Sequence, residues 1–222
     1  MYQYPLEIKK GHLYITVGNK SWLIDTGSPV SFSKHDLMIG ERLYPLSEKD
    51  SKKFPEELTD LIGHHTDGLL GNNVIREHDV LLDLAAGQMT FSEDHISANG
   101  LILKTELVSG IPCIDVGIKG KNYRMFFDTG AQISYFTQDH NLDYPEAGDF
   151  QDFYPFFGEF ETKTYLVKVI LNENLRTLRF GVFPLLLNMA IVSLKIEGII
   201  GLELIQGRKL LLSYRRNMMI LS

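Results

Sequence analysis

A chain of 222 residues, 44% hydrophobic and 23% charged, carries enough apolar material for one large domain or two small ones sharing a core, which excludes disorder as its main state. The formal net charge of −6 leaves no basic stripe to neutralise phosphates, so neither nucleic acid nor an anionic membrane is expected as a partner. Cys113 is the only cysteine, which excludes an intramolecular disulfide and points to a reducing, cytoplasmic compartment. The N-terminal segment has no apolar stretch behind basic residues, and no run approaches a membrane span.

In chain order, the first pattern is Gly11-His12-Leu13-Tyr14-Ile15-Thr16-Val17-Gly18 followed by Trp22-Leu23-Ile24-Asp25-Thr26-Gly27. The alternating and apolar runs broken by Gly and Asn read as strands. Residues 47–65 are rich in Lys, Asp and Glu, and Pro55 opens an expected helix over 56–62. Asp67-Gly68-Leu69-Leu70-Gly71 comes next, then the strand-like runs Val80-Leu81-Leu82-Asp83-Leu84 and Met89-Thr90-Phe91. Polar residues 93–100, closed by Asn99-Gly100, read as a linker.

The pattern then recurs. Gly110-Ile111-Pro112-Cys113-Ile114-Asp115-Val116-Gly117 precedes Met125-Phe126-Phe127-Asp128-Thr129-Gly130. The Val-Gly pairs lie 99 residues apart and the Asp-Thr-Gly triplets 103 apart, so four extra residues are expected in the turn at 118–122. Glu197-Gly198-Ile199-Ile200-Gly201 matches the earlier Gly-apolar-apolar-Gly element at an offset of 130, and Leu210-Leu211-Leu212-Ser213-Tyr214 with Met218-Met219-Ile220-Leu221 closes the second half like the first. Two segments follow, 1–96 and 97–222, each with one triplet. Only the second has room between its triplet and its glycine element for three more strands, expected at 153–160, 162–171 and 175–183. That hairpin would serve as a flap.

The triplets carry the chemistry. Two Asp side chains close enough to share a proton cannot both ionise, so one can act as general base on a water while its protonated neighbour donates to a carbonyl. Gly27 and Gly130 let the two loops approach, and the hydroxyls of Thr26 and Thr129 can hydrogen-bond across the pair. Ser28 can hydrogen-bond the Asp25 carboxylate where Ala131 cannot serve Asp128, so Asp25 is expected to ionise more easily. A single Asp-Thr-Gly arises by chance in roughly one chain of this length in twenty; two inside a repeat are a far more specific signal.

On Leu23-Ile24-Asp25-Thr26-Gly27-Ser28, Phe126-Phe127-Asp128-Thr129-Gly130-Ala131, Leu69-Leu70-Gly71 and Ile199-Ile200-Gly201, the chain resembles the pepsin/retropepsin superfamily of aspartic peptidases over nearly its whole length. The resemblance implies a mainly β, bilobed fold with a psi-shaped motif in each lobe. It further implies a catalytic pair of Asp25 and Asp128 supported by Thr26, Gly27, Ser28, Thr129, Gly130 and Ala131, a peptide or protein substrate, no cofactor, and a monomer, since both triplets lie on one chain. The flap, with Phe156, Phe157, Gly158 and Phe160 near its tip, would belong to the second lobe, the reverse of pepsins.

Other features are weaker. His64-His65 beside Asp67 lacks the spaced partners a metal site needs, and the charge cluster at 49–53 reads as a solvated face. The aromatic run Phe150, Phe153, Tyr154, Phe156, Phe157 fits either core or the cover of an apolar cleft. A catalytically silent member of the same fold that binds a peptide is the rival reading.

Overall fold

The computed structural model describes residues 1–46, 54–137, 143–154 and 158–222. The structure is mainly β, with two large mixed sheets. The first sheet runs, edge to edge, Leu101–Lys104, Met218–Leu221, Lys209–Ser213, Asp79–Asp83, Gln88–Ser92, Tyr2–Lys9, His12–Val17, Lys20–Ile24, Gly68–Leu70 and Phe32–Ser33. Strands from both ends of the chain therefore share one sheet. The second is built from Glu106–Val108, Ile111–Ile118, Lys121–Phe127, Gly198–Ile200, Ser134–Phe136, Asn174–Val182, Gly158–Leu171 and Glu146–Tyr154.

The hairpins flanking the triplets follow from the alternation of the sequence. His12–Val17 turns through Gly18 and Asn19 into Lys20–Ile24, and Ile111–Ile118 turns through Lys119 and Gly120 into Lys121–Phe127. The four extra residues of the second copy are not in the turn, as the sequence reading expects. Each second-half strand is two residues longer, 8 and 7 against 6 and 5, and the turn keeps its length. Extending a paired hairpin by an even number keeps every side chain on its face, which an uneven loop insertion would not guarantee.

Each glycine element lies parallel to the strand that ends in Asp. Trp22, Leu23 and Ile24 pair with Gly68, Leu69 and Leu70; Met125, Phe126 and Phe127 pair with Gly198, Ile199 and Ile200. All six residues of these short glycine strands are buried. Continuous apolar runs are what a strand covered on both faces requires.

Within the first sheet, as its third and fourth strands, Lys209–Ser213 and Asp79–Asp83 run antiparallel, and Leu81 is paired with Leu211. That pair also matches at the sequence offset of 130. Linker residues 93–100 carry no strand, and the helix spans Phe54–Ile62, two residues earlier than expected. Residues 47–53, with the charge cluster, lie outside the described residues. A small hairpin that sequence reading missed, Leu37–Ile39 with Arg42–Tyr44, packs beside the N-terminal strand, where Tyr4 Oη accepts the Gly40 N–H at 2.9 Å. Among the described residues no helix is long and apolar enough to cross a membrane.

The C-terminal strands are tied to the first half by Asp79, which has no exposed surface. Its carboxylate accepts Ser213 Oγ at 2.6 Å, the Ile96 N–H at 2.9 Å, Arg216 at 2.7 Å and Arg215 at 3.3 Å. Burial pushes this carboxyl up, but the hydrogen bonds and both guanidinium groups outweigh it and hold it below the usual carboxylate range. Asp79→Ala is expected to lower stability by about 3 kcal/mol, since it removes the shared partner of two half-buried arginines; urea unfolding of the two proteins measures the difference.

Candidate active site

Both Asp-Thr-Gly turns emerge from buried strands and meet face to face. Asp25 N–H is fixed by Leu70 O at 3.0 Å and Asp128 N–H by Ile200 O at 2.9 Å, so each glycine strand sets the height of its Asp. The threonines then lock the loops together. Thr26 Oγ1 donates to Phe127 O at 2.9 Å and accepts the Thr129 N–H at 2.9 Å; Thr129 Oγ1 donates to Ile24 O at 3.0 Å and accepts the Thr26 N–H at 3.1 Å. Neither threonine has any exposed surface.

Close approach explains the glycines. A Cβ on Gly27 would lie 2.3 Å from the Asp128 carboxyl, and one on Gly130 would lie 2.8 Å from Asp25 Cγ. Neither glycine has a positive φ, so the requirement is for space and not for a left-handed turn. Ala131 O accepts the Leu202 N–H at 2.8 Å, and Ser28 O accepts the Asn72 N–H at 2.9 Å, which anchors the far side of each loop.

One N–H, that of Gly27, reaches both carboxyls, 2.8 Å from Asp25 Oδ1 and 3.1 Å from Asp128 Oδ1, and two buried carboxyls so close together oppose ionising at once. Burial raises both, and the neighbouring charge of Asp128 raises Asp25 further, well above the usual range. The two titrate as a pair that opposes carrying two charges. By hydrogen-bond geometry the backbone serves the two alike: Asp128 accepts the N–H groups of Gly130 and Gly27, and Asp25 those of Gly27 and Ser28. The expectation that Asp25 ionises more easily loses its basis. The Ser28 hydroxyl, on which that expectation rests, points away and donates to Val30 O at 2.7 Å.

The pair lies on the floor of a cleft of about 340 Å³ whose walls are mostly apolar, including Leu23, Phe32, Phe54, Phe126, Phe183 and Ile199. From above, the hairpin formed by Glu146–Tyr154 and Gly158–Leu171 contributes Asp152, Phe153, Tyr154 and Phe160. The hairpin's first strand begins at Glu146, earlier than the expected 153. Phe156 and Phe157, expected at its tip, lie outside the described residues; Gly158 is described but is not part of the cleft wall. Phe160 is in the wall, near Tyr135 and Phe183. In the first half, the helix Phe54–Ile62 occupies the corresponding side through Phe54 and Leu58.

Three polar residues of the cleft escape sequence reasoning: His12, Tyr135 and Asp152. His12 Nδ1–H donates to Gly130 O at 3.1 Å, and Nε2 accepts from the Gln132 amide at 3.2 Å. Its ring also packs 5.7 Å from Phe153 of the hairpin. Burial holds this imidazole neutral, with its pKa lowered to about 4. Tyr135 donates its hydroxyl to Asp152 Oδ2, and burial pushes both groups up. The only sequence signal for His12 is that it stands where the other copy has Ile111.

Elsewhere, His64 packs edge-on against Tyr14, and His65 lies 3.4 Å from Asp67. Among the described residues no group of three or more His, Cys, Asp or Glu is placed to hold a metal ion. Compared with known proteins, the chain matches no family model and no curated protein.

Two measurements probe this arrangement. Thr26→Val and Thr129→Val are each expected to cost about 2 kcal/mol, with the double variant costing less than the sum because the two residues share bonds; a double-mutant cycle by urea unfolding reads this. The unfolded state protonates His12 near pH 6.5 while the folded state resists until about pH 4. The stability it contributes is therefore intact above pH 6.5 and lost as pH falls, by about 3 kcal/mol between pH 7 and pH 4. His12→Gln should show a flatter loss over the same window.

Proposed function

We propose that the chain is a single-chain aspartic endopeptidase of the pepsin/retropepsin kind, bilobed, with residues 1–96 and 97–222 as its lobes and Asp25 and Asp128 as its catalytic pair. The observation that carries this reading is the close carboxyl pair, held by reciprocal threonine bonds at the floor of an apolar cleft. The lobed reading draws on the pairing of Leu81 with Leu211. Residues that match in sequence and meet in space are what a two-fold axis between repeated halves produces.

The mechanism needs one carboxyl ionised and its neighbour protonated, and we take Asp128 as the ionised one. Asp128, the ionised member, takes a proton from a water positioned between the carboxyls as that water's oxygen bonds to the scissile carbonyl carbon. Asp25 gives its proton to the carbonyl oxygen, leaving a tetrahedral diol. Asp128 then returns its proton to the amide nitrogen, the C–N bond breaks, and one diol hydroxyl re-protonates Asp25. The product is a carboxylic acid and an amine, and the pair again holds one proton. Apolar walls keep bulk water from the pair and take apolar side chains next to the cut.

A peptide-binding member of the fold without catalysis is the second reading, favoured because, among the described residues, the first half places no hairpin in the cleft wall. Cleavage of a diverse peptide library between about pH 3 and pH 8 decides between them. The wild type is expected to give a bell-shaped profile, and Asp25→Asn and Asp128→Asn to lose about 10³-fold or more in kcat/KM. Both variants should remain folded and be at least as stable at neutral pH, because each removes a carboxyl whose ionisation the fold opposes. A folded wild type that binds peptides and cleaves none at any pH would establish the second reading.

A further inference from the structure

Tyr135 and Phe32 hold the same place in the two halves. Each stands seven residues after its Asp, and each pairs with the central residue of its glycine element, Phe32 with Leu69 and Tyr135 with Ile199. The two side chains differ by one oxygen. Phe32 packs on Phe54 of the helix at 4.9 Å between ring centres. Tyr135, 1% exposed, stacks on Phe183 at 4.4 Å and sends its hydroxyl to Asp152. The hydroxyl is thus found in the half that carries the hairpin, and its partner is on that hairpin.

Apolar packing alone would be served by phenylalanine, as the first half shows. A phenol hydroxyl buried this deeply is costly unless bonded, and its one bond crosses from the cleft floor to the hairpin. The other oxygen of Asp152 accepts the Phe153 N–H at 2.8 Å, which fixes the carboxylate against its own strand. Phe153 and Tyr154, the next two residues, line the cleft with Asp25 and Asp128. A bond at Asp152 therefore sets where these two residues stand above the carboxyl pair.

We propose that Tyr135 and Asp152 form a latch that positions the hairpin over the Asp25 and Asp128 carboxyls; its effect on catalysis rests on the peptidase reading, while the latch itself does not. Neither residue touches the reacting atoms in the mechanism above, so both are positioning residues. With the latch gone, a bound peptide must order the hairpin itself, and the loss falls on KM more than on kcat.

Tyr135→Phe copies the first half into the second and is the direct test. In the ligand-free protein, amides of Glu146–Tyr154 and of the facing strand near Gly158 are expected to exchange about tenfold faster, equivalent to about 1.4 kcal/mol. Amides of Asp79–Asp83 and Lys209–Ser213 should be unchanged. Asp152→Asn keeps an acceptor for the phenol and should stay within about twofold of wild type, whereas Asp152→Leu should match Tyr135→Phe. With a cleaved peptide, Tyr135→Phe should raise KM about tenfold and leave kcat within about twofold. Unchanged hairpin exchange, or exchange raised equally in both sheets, overturns the latch; a lower kcat at constant KM overturns its positioning role. Hairpin exchange that rises as expected in a protein that cleaves no peptide leaves the latch standing and removes the peptidase reading.

Discussion

Four hydrogen bonds between Thr26, Thr129 and the strand ends Ile24 and Phe127 hold the two Asp loops together, out of reach of water. Every other feature of the site depends on this contact. Two carboxyls brought so near repel when charged, and only a rigid, fully satisfied polar network can oppose that repulsion without leaving buried groups unpaired. The glycine strands fix the height of each Asp, the glycines of the triplets give the carboxyls room, and the surrounding apolar core prevents the loops from relaxing apart.

Asymmetric features go with single differences between positions that match in the sequence repeat. His12 stands where the second half has Ile111 and ties the Asp128 loop to the first half through Gly130 and Gln132. Tyr135 stands where the first half has Phe32 and reaches the hairpin. These changes give the two carboxyls unequal surroundings, which a pair related by strict symmetry could not have. On one chain such differences can arise one side at a time, whereas two identical subunits must make them on both.

Features carried by short-range pattern were legible in the sequence. The Asp-Thr-Gly turns, the buried glycine strands and the closing strands of each half follow from residue type and from period, and the repeat reinforces each of them. Features that depend on distant partners were not. His12 meets Gly130 across 118 positions and has no local signature. Ser28 was misjudged because a hydroxyl's target is a rotamer choice, and here Val30 O is the nearer acceptor. The four extra residues were placed in a turn because the sequence alone does not separate a longer loop from a longer paired hairpin. The hairpin's early start at Glu146 was missed because Glu146–Tyr154 mixes polar and aromatic residues without clean alternation.

The pairing of Asp79–Asp83 with Lys209–Ser213 also sets the order in which the chain can be completed during synthesis. The edge of Asp79–Asp83 that this pairing covers stays bare while more than a hundred further residues are added, and it is an apolar strand centred on Val80, Leu81 and Leu82. An exposed edge of this kind is a template for pairing with other chains. The nascent protein therefore passes through a long interval in which this apolar edge is open to pairing with other chains, and the arrival of Lys209–Ser213 closes it.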